Sequence, residues 1–111
     1  MVFLLPILEY TRSDFIELEI TRKLTEKFHL EKSNIEELIY RFRNLTYYTN
    51  ISTELPALCM DVDDNYILQT CQSAEADMLI TGDKELQLLK AFIKTKIISP
   101  SQFMDEYVNN Q

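Results

Sequence analysis

Residues 61–83, DVDDNYILQTCQSAEADMLITGD, decide how this chain is read. Ile67, Leu68, Cys71 and Ala74 recur at the spacing of one helical face, and Asp63 or Asp64 stands where a cap would open that helix. Met78 to Thr81, MLIT, is a short apolar run of the kind that forms a strand buried on both faces. Thr81-Gly82-Asp83 ends it. A helix that leads into a strand with an acid just past its carboxyl end is an α/β unit, and it raises the question of what five aspartates are doing in it.

Outward from this stretch, β-rich and helical patterns alternate without a repeat, a linker or a low-complexity tract. Val2 to Tyr10 is an apolar run broken by Pro6, so a strand is expected on its second half, ending near Thr11. Ser13 then opens a helix in which Phe15, Ile16, Ile20, Leu24 and Phe28 share one face, with Glu19 at its border. Ser33-Asn34-Ile35-Glu36 has the form of a capping box, and Ile35, Leu38, Ile39, Phe42 and Leu45 mark the helix it would start. Tyr47 to Ile51 reads as a short strand, and Pro56 keeps the following connection from being helical. Past Asp83 the sequence predicts a brief helix over DKELQLLKAF, a strand at TKIIS, and a C-terminal helix started by Ser99 and Pro100. The expected fold is α/β, a small, mostly parallel sheet sandwiched by helices in a single domain over 1–111.

Composition narrows the function classes. The chain has 111 residues, 46% of them apolar, enough for one globular core. Its net charge of −7, from 18 acidic and 11 basic residues, argues against nucleic-acid binding through a broad positive surface. Converging carboxylates that bind divalent cations would still allow a phosphate to be held, because the cations invert the local field. The apolar opening MVFLLPILEY has neither a basic leader nor a small-residue cleavage site and is too short for a bilayer, so the cytoplasm is the expected compartment, with no membrane association. Cys59 and Cys71 form no CxxC pair and are expected as reduced, mostly buried thiols. The one histidine, His29, follows an apolar helical run and reads as a surface or C-cap residue.

Two readings of the acids compete. Asp61, Asp63, Asp64 and Asp83 are all placed to satisfy free amides at helix N-termini, which requires no ligand. Asp83, though, lies just past the carboxyl end of an apolar strand, where α/β sheets gather ligands. A helix beginning at Asp64 starts on that same sheet edge, so the two carboxylates are expected to approach. Oxygen-only donors of this type suit Mg²⁺ or Mn²⁺.

SDFIELEITRKLTEKFHL, DVDDNYILQT, ADMLITGDKELQLL and IISPSQFMDEY together resemble successive blocks of PIN-domain proteins, in particular the toxin components of bacterial toxin–antitoxin pairs. The similarity runs from about Tyr10 to Tyr107, and its most specific part is the block ADMLITGDKEL. It implies a metal-dependent endoribonuclease acting on single-stranded RNA, with Glu19, Asp64 and Asp83 as catalytic metal ligands, Asp61 and Asp63 as weaker ligand candidates, and Thr81 lining the site. Asp77 matches a recurrent position but is expected to cap or turn. Lys84 and Arg12 are candidates for steadying phosphate. The implied partners are a cognate antitoxin and a second copy of the chain.

PIN domains begin with a strand ending in an aspartate, in a pattern like DTN, and no such segment precedes residues 7–30 here. The resemblance therefore implies a domain incomplete at its N-terminus with one acid fewer. The rival to a ribonuclease is a catalytically inactive scaffold kept as an interaction or oligomerisation module. A receiver-like phosphate-sensing domain is a third reading, and it lacks the isolated acceptor aspartate and later lysine in the expected order.

Overall fold

Ser13 takes an extended backbone, and its hydroxyl accepts from the Ile16 amide at 3.4 Å, so the first helix, α1 (Asp14–Glu26), starts where the sequence places it. The computed structural model describes residues 10–109, which divide into two compact units with the break between Asn50 and Ile51. The expected strand within 2–9 lies outside the described residues; β1 is Thr11–Arg12.

In the first unit β1 pairs in parallel with β2 (Tyr47–Tyr48), Thr11 opposite Tyr47. The helices between them are α1 and α2 (Lys32–Leu45). α2 turns Ile35 and Ile39 inward, and a Glu17–Arg43 ion pair ties the two helices, with Arg43 Nη2 donating to Glu17 Oε2 at 3.0 Å. Arg12 donates to the Arg43 and Thr46 carbonyls and to the Thr46 hydroxyl at 2.9–3.1 Å, and it lies 5.6 Å over the Tyr48 ring. This commits its guanidinium to the fold of this unit.

Two details differ from expectation. The Ser33 capping box does not form, because the Ile35 amide bonds to the Glu31 carbonyl at 3.0 Å and carries the helix back to Lys32, leaving Ser33 inside the first turn. α1 stops short of Phe28, which is exposed. His29 takes the left-handed conformation, φ 53°, and the Leu30 amide folds back onto the Leu24 carbonyl.

The second unit opens with a loop and α3 (Val62–Ala74). α3 ends in a Schellman motif in which Glu75 adopts φ 52° and the Ala76 amide reaches the Cys71 carbonyl at 2.9 Å. β3 (Met78–Ile80) then pairs in parallel with β5 (Thr95–Ile98), Met78 opposite Lys96 and Ile80 opposite Ile98. Between them run α4 (Lys84–Leu89) and β4 (Ala91–Phe92).

β4 corrects the expected helix over DKELQLLKAF. Lys90 takes φ 63° with its amide on the Gln87 carbonyl, the helix ends, and Ala91–Phe92 folds into an antiparallel hairpin on β5 through a turn at Ile93, itself at φ 54°. α5 (Pro100–Phe103) has the full capping box between Ser99 and Gln102, with Pro100 in its first turn. It widens into a π-helical turn over Met104–Val108, where Phe103 and Tyr107 stack 5.4 Å apart.

The architecture is therefore mixed α/β. Instead of one mostly parallel sheet, the described residues form a two-stranded parallel sheet and a three-stranded sheet of order β3-β5-β4, one parallel and one antiparallel pair. Leu68 of α3, Leu86 of α4 and Ile97 of β5 make the centre of the second unit, surrounded by Cys59, Ile67, Leu79, Leu89 and Phe92. Burying three aliphatic side chains from three elements fixes where the N-termini of α3 and α4 point. Those ends carry the acids.

Candidate metal centre

Asp61 caps α3, in place of Asp63 or Asp64. Its Oδ1 accepts from the Asp63 amide at 2.9 Å and its carbonyl from the Asp64 amide at 3.1 Å. With the cap at Asp61, Asp64 falls inside the first turn of α3 and is buried. Asp64 is only 5% exposed; its carboxylate takes no hydrogen bond among the described residues and keeps slight contact with solvent.

α4 supplies the facing acids. Asp83, exposed, caps this helix through Oδ1 to the Leu86 amide at 3.0 Å. Thr81 holds the approach: its hydroxyl accepts from the Asp83 amide at 3.1 Å, and its carbonyl accepts from Gln87 Nε2 at 2.6 Å. Glu85, in the first turn and half-buried, accepts from the Met60 amide at 2.7 Å.

The third wall is the loop before α3. Asn65, buried, accepts from the Leu58 and Cys59 amides at 3.2 and 2.9 Å and donates to the Cys59 carbonyl at 3.0 Å. With Asn65 on one side and Glu85 on the other, the loop brings Cys59 against the acids. Cys59 Sγ and one carboxylate oxygen each from Asp64 and Glu85 lie within 4.8 Å of one another.

The field at this cluster is negative. Burial pushes the Asp64 carboxyl up to about 6, and Asp83, Asp61, Glu85 and Asp63 push in the same direction. Burial also raises the Cys59 thiol, reinforced by Glu85, Asp64, Asp83 and Asp61. Every charged group acting on either side chain is an acid, so a positive charge placed among them favours both anionic forms. Two carboxylates and a thiol in reach of one another are a donor set that fits a divalent cation.

The other residues singled out from the sequence fall as follows. Asp63 is half-buried in the first turn of α3, beside the cluster. Asp77 is exposed, and its carbonyl accepts from the Lys96 amide at 2.9 Å as β3 begins. Lys84 is exposed at the start of α4. Glu19 belongs to the first unit, where its two oxygens accept from Arg22 Nη2 at 2.7 Å and Nε at 3.2 Å. Cys71 is a buried free thiol whose pKa burial pushes up to about 11.

No family model matches this chain, and no curated protein or solved structure matches it either. No helix among the described residues is long and apolar enough to cross a membrane.

Sequence reasoning did not single out Cys59, Glu85 or Asn65 for the site. A signal was present: Cys59 lies two residues before Asp61, and Glu85 two after Asp83. Spacing of two on opposite sides of two helix starts does not by itself say that the side chains converge. Loop closure by Asn65 makes them do so.

Proposed function

We propose that this chain is a divalent-cation-dependent endoribonuclease of PIN-like type, with its cation held at the N-termini of α3 and α4. The observation that carries the cation is Asp64: a carboxylate only 5% exposed, with no hydrogen-bond donor among the described residues and slight contact with solvent, beside further acids. Ionising Asp64 beside these acids carries a cost, which is what raises its carboxyl to about 6. A bound cation offsets that cost. The RNA substrate comes from the sequence blocks around DVDDNYILQT and ADMLITGDKELQLL, not from the site itself.

In this reading Asp64 is the principal ligand, and Asp83, whose Oδ1 caps α4, adds negative charge beside it. Asp61 and Asp63 act from the periphery by charge. Thr81 sets the Asp83 backbone. A divalent cation held at this site would make a bound water acidic enough to attack a phosphodiester. Asp64, whose carboxyl lies near pH 6 before any cation binds, exchanges a proton for the cation, so occupancy rises with pH.

The interaction-module reading draws on Glu19. Its carboxylate is engaged by Arg22 through both oxygens, as expected of a surface helix pair. A chain whose third catalytic acid is a structural partner would keep an antitoxin-binding or self-associating role without turnover.

Incubation of the purified chain with labelled single-stranded RNA and Mn²⁺ tests the nuclease, comparing wild type with Asp64→Asn and Asp83→Asn. Asparagine caps a helix about as well as aspartate, so the second variant removes charge and spares the fold. Cleavage in wild type that both variants lose is the expected result. Equal cleavage by all three, or none at high protein and metal, leaves the interaction module.

A further inference from the structure

We infer that Cys59 and Glu85 complete, with Asp64, a mixed sulfur and oxygen site that selects a thiophilic divalent cation of the Zn²⁺ type over Mg²⁺. The inference rests on the reading that the acids at α3 and α4 hold a cation, and it names which one.

Three observations carry it. The first is convergence: Sγ of Cys59 and carboxylate oxygens of Asp64 and Glu85 lie within 4.8 Å of one another. Ligands around tetrahedral Zn²⁺, at ~2.3 Å for sulfur and ~2.1 Å for oxygen, are spaced by roughly 3.6 Å, so closure needs only small side-chain rotations. The second is Asp64 itself, only 5% exposed, whose carboxylate takes no hydrogen bond among the described residues, keeps slight contact with solvent and faces this cluster.

The third is how the loop is held. The three Asn65 hydrogen bonds fix the Cys59 peptide units from α3, and the Met60 amide bonds to Glu85 from α4. Accepting one amide leaves most of a carboxylate's lone pairs free, so Glu85 can anchor the loop and ligate together. The cluster is thus preassembled by contacts that do not consume its donor atoms.

Softness then chooses the cation. Thiolate favours borderline and soft ions, whereas Mg²⁺ prefers oxygen and keeps its waters. On ligation the Cys59 S–H bond breaks, its proton passes to solvent, and the sulfur lone pair goes to the metal. Three protein donors leave a fourth tetrahedral position open, as in zinc sites that bind water or substrate. Asp83, Asp61 and Asp63 add negative potential around the bound ion.

Co²⁺ titration of the full chain, with a phosphine reductant and absorption as readout, tests this. Wild type should show a thiolate-to-cobalt charge-transfer band saturating at one ion per chain, displaced by equimolar Zn²⁺ and retained in roughly hundredfold excess Mg²⁺. Cys59→Ser should abolish the band and weaken Zn²⁺ by about tenfold or more, and Glu85→Gln should keep the band with weaker affinity. Cys71→Ser should retain it, and circular dichroism checks that each variant folds. Mg²⁺ competing as well as Zn²⁺, or Cys59→Ser binding like wild type, overturns the inference. If Co²⁺ binds without the band and Asp64→Asn abolishes binding, the carboxylate cation site stands and the sulfur ligand falls. If the band appears and RNA is not cleaved, the ribonuclease reading falls and the mixed site stands.

Discussion

Asn65 grips Cys59 at both ends of the residue: its Oδ1 accepts from the Cys59 amide at 2.9 Å, and its Nδ2 donates to the Cys59 carbonyl at 3.0 Å. A buried amide side chain on α3 thereby does for an irregular loop what a neighbouring strand would do for a β-strand. Each such bond contributes about 1 kcal/mol net, and losing the partner of a buried group costs more than that.

Asn65→Ala should therefore destabilise the chain by about 2–3 kcal/mol, read as a lower urea midpoint with an unchanged slope. Asn65→Asp should fare no better, since it loses the donor to Cys59 and adds a negative charge beside acids. A midpoint equal to wild type in both variants would show that the loop is held by something else.

The pH dependence of stability follows from Asp64. Its carboxyl is raised from 3.8 to about 6 in the folded chain, so the folded state holds the proton more tightly than the unfolded one. Stability from this group is full below the unfolded value and is lost as pH rises through about 6, by up to about 3 kcal/mol at 1.4 kcal/mol per unit. Asp64→Asn should remove that decline and exceed wild type in stability at pH 8 without added metal. Urea midpoints at pH 4.5 and 8 for both proteins decide it; parallel profiles would refute the assignment.

Asp83 should separate capping from charge. Asp83→Ala loses the bond to the Leu86 amide and should cost about 1 kcal/mol, whereas Asp83→Asn should stay within a few tenths of wild type. Thermal melts of the pair test this. Equal losses would mean that the carboxylate charge, and not the hydrogen bond, starts α4.

Leu68 is fully buried between Leu86 and Ile97, and its truncation to alanine should cost about 3 kcal/mol. Because it sits where α3, α4 and β5 meet, Leu68→Ala should also weaken cation binding, measured by calorimetry, although it offers no donor atom. Undiminished binding would place the site's rigidity in the loop alone.

Much of the second unit was legible because its signals are local. The helical face of Ile67, Leu68 and Cys71, the MLIT and TKII strands, and the Ser99-Pro100 start are periodicity and capping, and they reappear within a residue or two, although the MLIT strand is half-buried with Ile80 exposed and not buried on both faces. The misreadings arose where tertiary structure overrode a local preference. Ser33 had a capping sequence, but the chain gained an extra helical bond by starting at Lys32. LLKAF looked helical, and the break at Lys90 carries no glycine or proline to announce it. Among the acids, a shift of two or three residues in the cap, Asp61 over Asp63 or Asp64, goes with which carboxylate is buried, and sequence spacing leaves that choice open.

The left-handed residues have a consequence for engineering. His29, Glu75, Lys90 and Ile93 occupy positive φ, while the chain's only glycine, Gly82, does not and has open space where a side chain would go. Backbone freedom is thus absent where the turns use it and present where nothing asks for it. Ile93 is the costliest case, a β-branched residue at the exposed tip of the β4–β5 hairpin, where left-handed geometry costs roughly 1–2 kcal/mol. A variant that moves glycine from position 82 to position 93 would keep the composition almost unchanged and fold into a sturdier hairpin, so this chain holds unclaimed stability in its turns.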